Sequence, residues 1–204
     1  MGEIPISRPT PRLFVIRHGK GDRVVKKRET LFKTGLSDIP LTPRGEHQVK
    51  KNAETFVGPG LLLDPANLTK ALISPRQRAY KTFQLLFQHL SLLPEHDISE
   101  QVGEWNYGEY EGLKPAEIKA INPSWIIWQD GCPGGESVND MVSRVDGVIR
   151  EIREYHRKYH EEGIGGRDVL VVAHGHLSRV LIARWINMPI TLGKDFLVGP
   201  GSVS

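Results

Sequence analysis

One cysteine, Cys132, stands in 204 residues, so no intrachain disulfide can form. That scarcity suits a reducing compartment. No apolar run approaches the roughly 20 residues needed to cross a bilayer. The opening segment MGEIPISRPTPR lacks the apolar stretch of a secretory signal. Met1-Gly2 is followed by Ser7 one position too late for the pattern of lipid attachment at Gly2. Together these absences predict a cytoplasmic protein with no membrane partner. Internal repeats, low-complexity tracts and linkers are absent too, and the formal net charge is only +3. So mild an excess suits an anionic small molecule as well as a nucleic acid. The basic run Lys26-Lys27-Arg28 is short and has no interleaved aromatics. It reads as a solvated loop, and no nucleic-acid partner is expected.

What is present is ordinary for a globular chain: 39% hydrophobic and 25% charged residues. The length predicts one domain over residues 1–204, with a tail over about 1–11 and a core large enough to fold alone. Residues 12–16 form a short apolar run between proline and Gly19, which predicts a buried strand. Thr42-Pro43 opens a predicted helix to about Phe56, with Thr42 as cap and Pro43 in the first turn. A second strand is predicted over Lys70–Ser74 and a helix from Pro75 to about Leu90. Val138, Met141, Val142, Val145, Ile149 and Ile152 recur at helical spacing. They predict a helix from Glu136 to about His160 with one buried stripe. Asp168 to Ala173 carries the unbroken apolar run of a central parallel strand, and Leu177 to Ile186 reads as the next helix. The alternation predicts an α/β fold: a three-layer α/β/α sandwich around a mostly parallel sheet. Residues 100–135, rich in Trp and Gly, read as an inserted irregular region over the site.

Three predicted strand ends carry unusual polar residues: Arg17-His18-Gly19, Ser74-Pro75-Arg76-Gln77-Arg78 and His174-Gly175-His176. Strand ends on one side of a parallel sheet converge on one crevice. Imidazole is a competent nucleophile and guanidinium suits a dianionic phosphate. Two ligands of a metal are the other reading of His174 and His176, but one cysteine and no further clustered ligands argue against it.

RHG after the first strand, SPRQRAYKT after the second, EWNYGEYEG in the middle and AHGH after a late strand carry a family resemblance. In that order they resemble the histidine phosphatase superfamily, also called phosphoglycerate mutase-like, over roughly residues 12–203. LTPRGEHQV, EWNYGEYEG, WIIWQDGCPGGES and VVAHGHLSRV are similar to its fungal sedoheptulose-1,7-bisphosphatase branch. The resemblance implies a metal-independent phosphatase of small phosphorylated metabolites, sugar bisphosphates among them, with no cofactor. It implies His18 as a nucleophile that becomes phosphohistidine, and Arg17, Arg76 and His174 around the phosphate. It implies Glu104, three residues before Tyr107, as the proton donor to the leaving oxygen. Thr34, Gly35, Tyr107, His176 and Arg179 match positions near the substrate. A protonated Glu104 beside an apolar wall of Trp105 and Tyr107, and a protonated His174, would fit those roles. A mutase, or a phospho-ligand-binding protein without turnover, are the alternative readings. A homo-oligomer is left open.

Other residues carry quieter expectations. Arg78 is expected to pair with a carboxylate behind the site. Glu109 and Glu111 are the carboxylates most easily mistaken for the acid. Glu136 either orients a substrate arginine or caps its helix. Trp125 and Trp128 are expected to pack, and Cys132 to be an inert thiol. Two departures from the family pattern stand out. The stretch KGDRVVKKRETLFK after RHG is basic, longer than usual and without tryptophan. Lys20 and Arg23 within it are candidates for a second phosphate. The family also continues past Gly199-Pro200-Gly201-Ser202-Val203-Ser204 into a last strand, which predicts a weakened sheet edge here.

Overall fold

The computed structural model describes residues 8–21 and 33–204. Arg23 and the run Lys26–Arg28 lie outside them. The elements follow in order as β1 (Arg12–Arg17), α1 (Pro43–Phe56), β2 (Leu68–Ile73), α2 (Gln77–Leu86) and β3 (His96–Ile98). Then come α3 (Pro115–Ile121), α4 (Ile127–Asp130), α5 (Val138–Arg157), β4 (Asp168–Ala173) and α6 (Gly175–Trp185). The four strands pair in parallel in the order β1-β4-β2-β3. β4 is therefore central, and all six of its residues are buried.

Its side chains alternate between two cores, as a period of two requires. Val169, Val171 and Ala173 pack on one face with Val145, Ile149 and Ile152 of α5 and Leu177, Val180 and Leu181 of α6. Leu170 and Val172 pack on the other with Val49 and Ala53 of α1 and Phe83 and Leu86 of α2. The predicted α/β/α layering is what forms, because both faces of an apolar parallel sheet must be covered. Arg12 grips the buried Asp168 with two hydrogen bonds of 2.9 and 2.6 Å, fixing β1 beside β4. None of the helices among the described residues is long and apolar enough to cross a membrane.

Element ends differ from the expectation in instructive ways. Thr42 caps α1 as expected, accepting from Gly45 N at 2.9 Å. α2 starts two residues later than Pro75, because Asp38 accepts from Gln77 N at 2.7 Å, and it stops at Leu86 rather than Leu90. α5 is capped by Ser137 and Asp140, and its last turn widens into a π-helical turn over Lys158–Glu162. The region 100–135 is not wholly irregular: it contains α3 and α4. β3, a three-residue edge strand, has no counterpart in the predicted elements. At the opposite edge Val15 N donates to Ser204 O and Ser204 N donates to Val15 O, both at 2.9 Å. The sheet edge expected to be weakened is thus partly covered by an antiparallel pairing onto β1.

Candidate active site

β1 and β4 are neighbours, so their carboxyl ends put His18 and His174 side by side. His18 N continues the ladder by donating to Ala173 O at 3.0 Å. The two imidazole rings meet edge to face with centroids 5.0 Å apart. Gly19 lets the chain turn here against α1. A Cβ on it would lie 2.8 Å from Gly45 O and 2.8 Å from Val49 Cγ2, so any side chain would push the loop off the helix. Gly19 N donates to Thr82 Oγ1 at 3.1 Å on α2.

The tautomer of His18 follows from its contacts. Its Nδ1 lies 2.7 Å from the Gly19 carbonyl, which only an N–H can approach, so Nδ1 carries the proton. Nε2 then holds a lone pair, and Arg78 Nε donates to it at 3.3 Å. Burial, Arg78 and Arg17 together push the His18 pKa down to about 3, against the opposing pull of the Gly19 carbonyl. His18 is neutral, and its Nε2 lone pair, held by Arg78 in the free site, is the one that would be released to react once that guanidinium turned to an incoming anion.

Arg78 is the largest departure from the sequence expectation. It pairs with no carboxylate among the described residues. Its guanidinium donates instead to Ser37 O at 2.7 Å and Thr34 O at 2.9 Å, besides His18. Arg76, expected in the phosphate pocket, pairs with Glu100 at 3.0 Å and does not line the cavity over His18. Residues two apart do not share a helix face. Once α2 starts at Gln77, only one of the two arginines can face His18, and Arg78 is the one that does.

A cavity of about 260 Å³ opens over His18 and is lined by Arg17, Lys33, Thr34, Glu104, Tyr107, His176 and Arg179, among others. Arg17 donates to Val198 O at 2.6 Å, and Gly201 N donates to Arg17 O and His18 O at 3.0 and 3.1 Å. The C-terminal turn therefore clamps the end of β1, a role that sequence reading did not find. Lys33 was missed as well; its position beside the Thr34-Gly35 pair was the available signal. Gly35 does not line the cavity. Its Cβ would fall 2.1 Å from Trp105 O, and its N–H donates to Glu111 Oε2 at 2.9 Å. Glu111 also binds Ser37 N and Oγ at 2.9 and 2.7 Å, so it shapes the loop that holds Arg78. Lys20 faces a separate basic groove with Arg44, His47 and Lys51 rather than this cavity.

Glu104 lies in the wall and accepts three backbone N–H groups. Trp105 N and Leu177 N reach Oε1 at 3.0 and 2.9 Å, and His176 N reaches Oε2 at 3.1 Å. Two of these donors come from the first turn of α6, whose N-terminus favours an anion. Burial alone would raise its pKa. The neighbouring His176 and His174 and the amides of Leu177 and His176 prevail, and hold it well below the usual carboxylate range. The expectation of a carboxyl kept protonated by Trp105 and Tyr107 is therefore corrected for the free site. His174 is likewise neutral, pushed down first by burial and then by His18. Its Nε2 lies 2.6 Å from Ser74 Oγ, while the buried Nδ1 has no partner. His176 Nδ1 is 2.7 Å from Tyr107 Oη. Among the described residues no group of three or more His, Cys, Asp or Glu is placed to hold a metal ion.

The remaining expectations resolve simply. Glu136 pairs with Arg144 at 2.7 Å, so it orients an arginine outside the cavity, and Ser137 does the capping. Trp128 packs on Trp105 with ring centroids 6.0 Å apart, and Trp125 packs on Tyr110 at 4.8 Å. Burial pushes the Cys132 thiol up to about 12, which keeps it protonated and inert.

The sequence profile of the histidine phosphatase superfamily (branch 1) matches residues 13–204. A sedoheptulose 1,7-bisphosphatase of Saccharomyces cerevisiae is 35% identical over 193 residues, covering 89% of this chain and 69% of the relative. An acid phosphatase of Mycobacterium tuberculosis is 33% identical over 192 residues, covering 94% and 84%. The solved structure of an open reading frame from Mycobacterium tuberculosis superposes with a TM-score of 0.75 at 29% identity, covering 96% of this chain and 90% of that one.

The lowered histidines make a pH prediction. In the unfolded chain they protonate near their ordinary value of about 6.5. In the native site His18 and His176 resist protonation down to about 3. Between those limits the unfolded state binds more protons, so stability is complete above about pH 6.5 and falls as the pH drops. Glu104 adds a further loss below its unfolded pKa, since its native form is the anion. Urea unfolding should show a midpoint that falls steadily from pH 7 to pH 4. Nitrogen-15 NMR at pH 5 should show His18 as the neutral Nδ1–H tautomer; an imidazolium there would contradict the assignment.

Proposed function

The chain belongs to the histidine phosphatase superfamily and is a phosphoric monoester hydrolase of that type; we propose that it hydrolyses sugar phosphates, bisphosphates above all, through a phosphohistidine on His18 Nε2. The observation that carries this reading is the lone pair of Nε2, held neutral between the Gly19 carbonyl and Arg78. The similarity to a sedoheptulose 1,7-bisphosphatase supports the substrate class.

In the first half-reaction Nε2 attacks phosphorus in line with the leaving oxygen. The Nε2–P bond forms as the P–O bond breaks. Nδ1–H stays on the Gly19 carbonyl, which stabilises the positive charge that develops on the ring. Arg17 and Arg78 neutralise the phosphoryl oxygens where charge accumulates. His174 acts as a neutral donor: with the Ser74 hydroxyl donating to Nε2, its unpartnered Nδ1 carries the proton. A sugar alkoxide needs a proton as it leaves. An arriving phosphate dianion raises the pKa of the adjacent Glu104 by like-charge repulsion, so substrate binding brings the proton with it. Oε2, which accepts one backbone N–H against two at Oε1, is the oxygen to carry it. Glu104 gives that proton to the leaving oxygen. In the second half it takes a proton from the attacking water as the P–Nε2 bond breaks and the imidazole returns to neutral. The guanidinium groups supply the charge that a metal would otherwise provide, so the reading is of a metal-independent reaction.

Phosphate release from sugar mono- and bisphosphates, with a chelator present, tests this. Turnover should resist the chelator and fall by about three orders of magnitude or more in His18→Ala. Retained turnover in that variant would overturn the nucleophile, and label moved to an isomeric product rather than to water would indicate a mutase. Arg78→Ala should lose about two orders of magnitude in kcat, as removal of an oxyanion donor does. Arg76→Ala should lose less than about tenfold, because its guanidinium is paired with the exposed Glu100 and makes no contact with His18. The reverse ranking would return the phosphate to Arg76.

A further inference from the structure

We propose that Lys33, together with Arg179, seats a second anionic group of the substrate and so selects for bis-anionic phosphoesters; this rests on the hydrolase reading above and names the specificity residue of the same cavity. The cations of the site fall into two sets. Arg78 and Arg17 surround His18, where the scissile phosphoryl group sits. Lys33 and Arg179 line the same cavity beside Glu104, Tyr107 and His176.

Lys33 is the informative member. Its Nζ stands 5.3 Å from the centroid of the Tyr107 ring and 5.9 Å from that of Trp125. Two aromatic faces hold the ammonium in place. Among the described residues Nζ has neither a hydrogen-bond acceptor nor an ion-pair partner. Arg179 Nε is buried and likewise unpartnered. Glu104 favours the Lys33 ammonium without touching it, so a desolvated cation that no acceptor contacts remains costly, and a like-charged neighbour adds to the cost. Burial, and then Arg179, lower the Lys33 pKa against the pull of Glu104. Burial first, and then Lys33, Arg179 and Arg17, lower the His176 pKa as well. A single phosphate bound at His18 leaves the Lys33–Arg179 pair uncompensated, and a second phosphate or a carboxylate on the same molecule completes it.

The aromatic wall distinguishes this from a solvated surface lysine. Lys33 backbone groups are fixed as well: Lys33 N donates to Leu113 O at 3.0 Å, and Gly112 N donates to Lys33 O at 2.7 Å. The ammonium is thus presented from a pinned backbone.

The test compares kcat/KM for three esters: a sugar bisphosphate, the matching monophosphate without the distal group, and a phosphorylated sugar acid with a carboxylate there. The wild type should prefer both bis-anionic esters, and the ranking of the two identifies phosphate or carboxylate as the favoured group. Lys33→Met keeps the stem against the rings and removes the charge. It should cut the preference for the bis-anionic esters ten- to hundredfold, about the worth of one charged hydrogen bond, chiefly through KM. Lys33→Arg should keep most of the preference. If Lys33→Met lowers all three esters in step, or leaves the ratio unchanged, the proposal is overturned. A wild type that hydrolyses all three without preference overturns it while the hydrolase reading stands. A wild type that hydrolyses none and forms no phosphohistidine overturns that reading itself.

Discussion

A guanidinium held by carbonyls, with no carboxylate paired to it among the described residues, sets the character of this site. Arg78 is almost wholly buried, with 1% of its surface exposed. Burial lowers its pKa, yet arginine starts so high that it stays charged. Its donors are taken by Ser37 O, Thr34 O and the lone pair of His18, all neutral acceptors. The charge is positioned without being cancelled. Burial first, and then that arrangement, keep His18 neutral; the same guanidinium fixes Nε2 and leaves positive potential beside it. A carboxylate partner at the same place would quench all three effects.

The scaffold can be read as support for that arrangement. The loop carrying Thr34 and Ser37 is itself held by Glu111, through Gly35 N, Ser37 N and Ser37 Oγ. The nucleophile end of β1 is held from the sheet side by Ala173 O, from α2 by Thr82 and from the C-terminal turn by Gly201. Glu104 is tied to α6, whose first turn begins directly after His174. Glu104, His18 and His174 thus hang on two neighbouring parallel strands and the helix that follows one of them. This is the crevice at the carboxyl ends of strands that open α/β sheets use for ligands.

Much of this was legible in the sequence where the signal is local and long. The unbroken apolar run of β4 and the i, i+3, i+4 stripe of α5 leave few alternatives, and the layered fold follows from them. Thr42-Pro43 marks the start of α1 to the residue. The polar strand ends do converge, since Arg17, His18 and His174 gather at one crevice, and Glu104, named only through the family resemblance, lies in its wall. What stayed hidden depends on rotation or on partners distant in sequence. A two-residue shift in the start of α2, set by Asp38 from another loop, decides between Arg76 and Arg78. The ionisation of Glu104 depends on amides more than seventy positions away, His176 N and Leu177 N. β3, α3 and α4 are too short for periodicity to register. Lys33 became meaningful only when Tyr107 and Trp125 were found stacked near it.

The central claim is that the neutral His18 Nε2 becomes covalently phosphorylated. Rapid mixing with a phosphorus-32-labelled ester, followed by denaturation at alkaline pH, where phosphohistidine survives, and peptide mapping, tests it most directly. The account predicts label on the peptide carrying His18, at the nitrogen remote from the backbone, appearing within one turnover and decaying as phosphate is released. Phosphate release with no labelled protein at any time, or label on another residue, would contradict it.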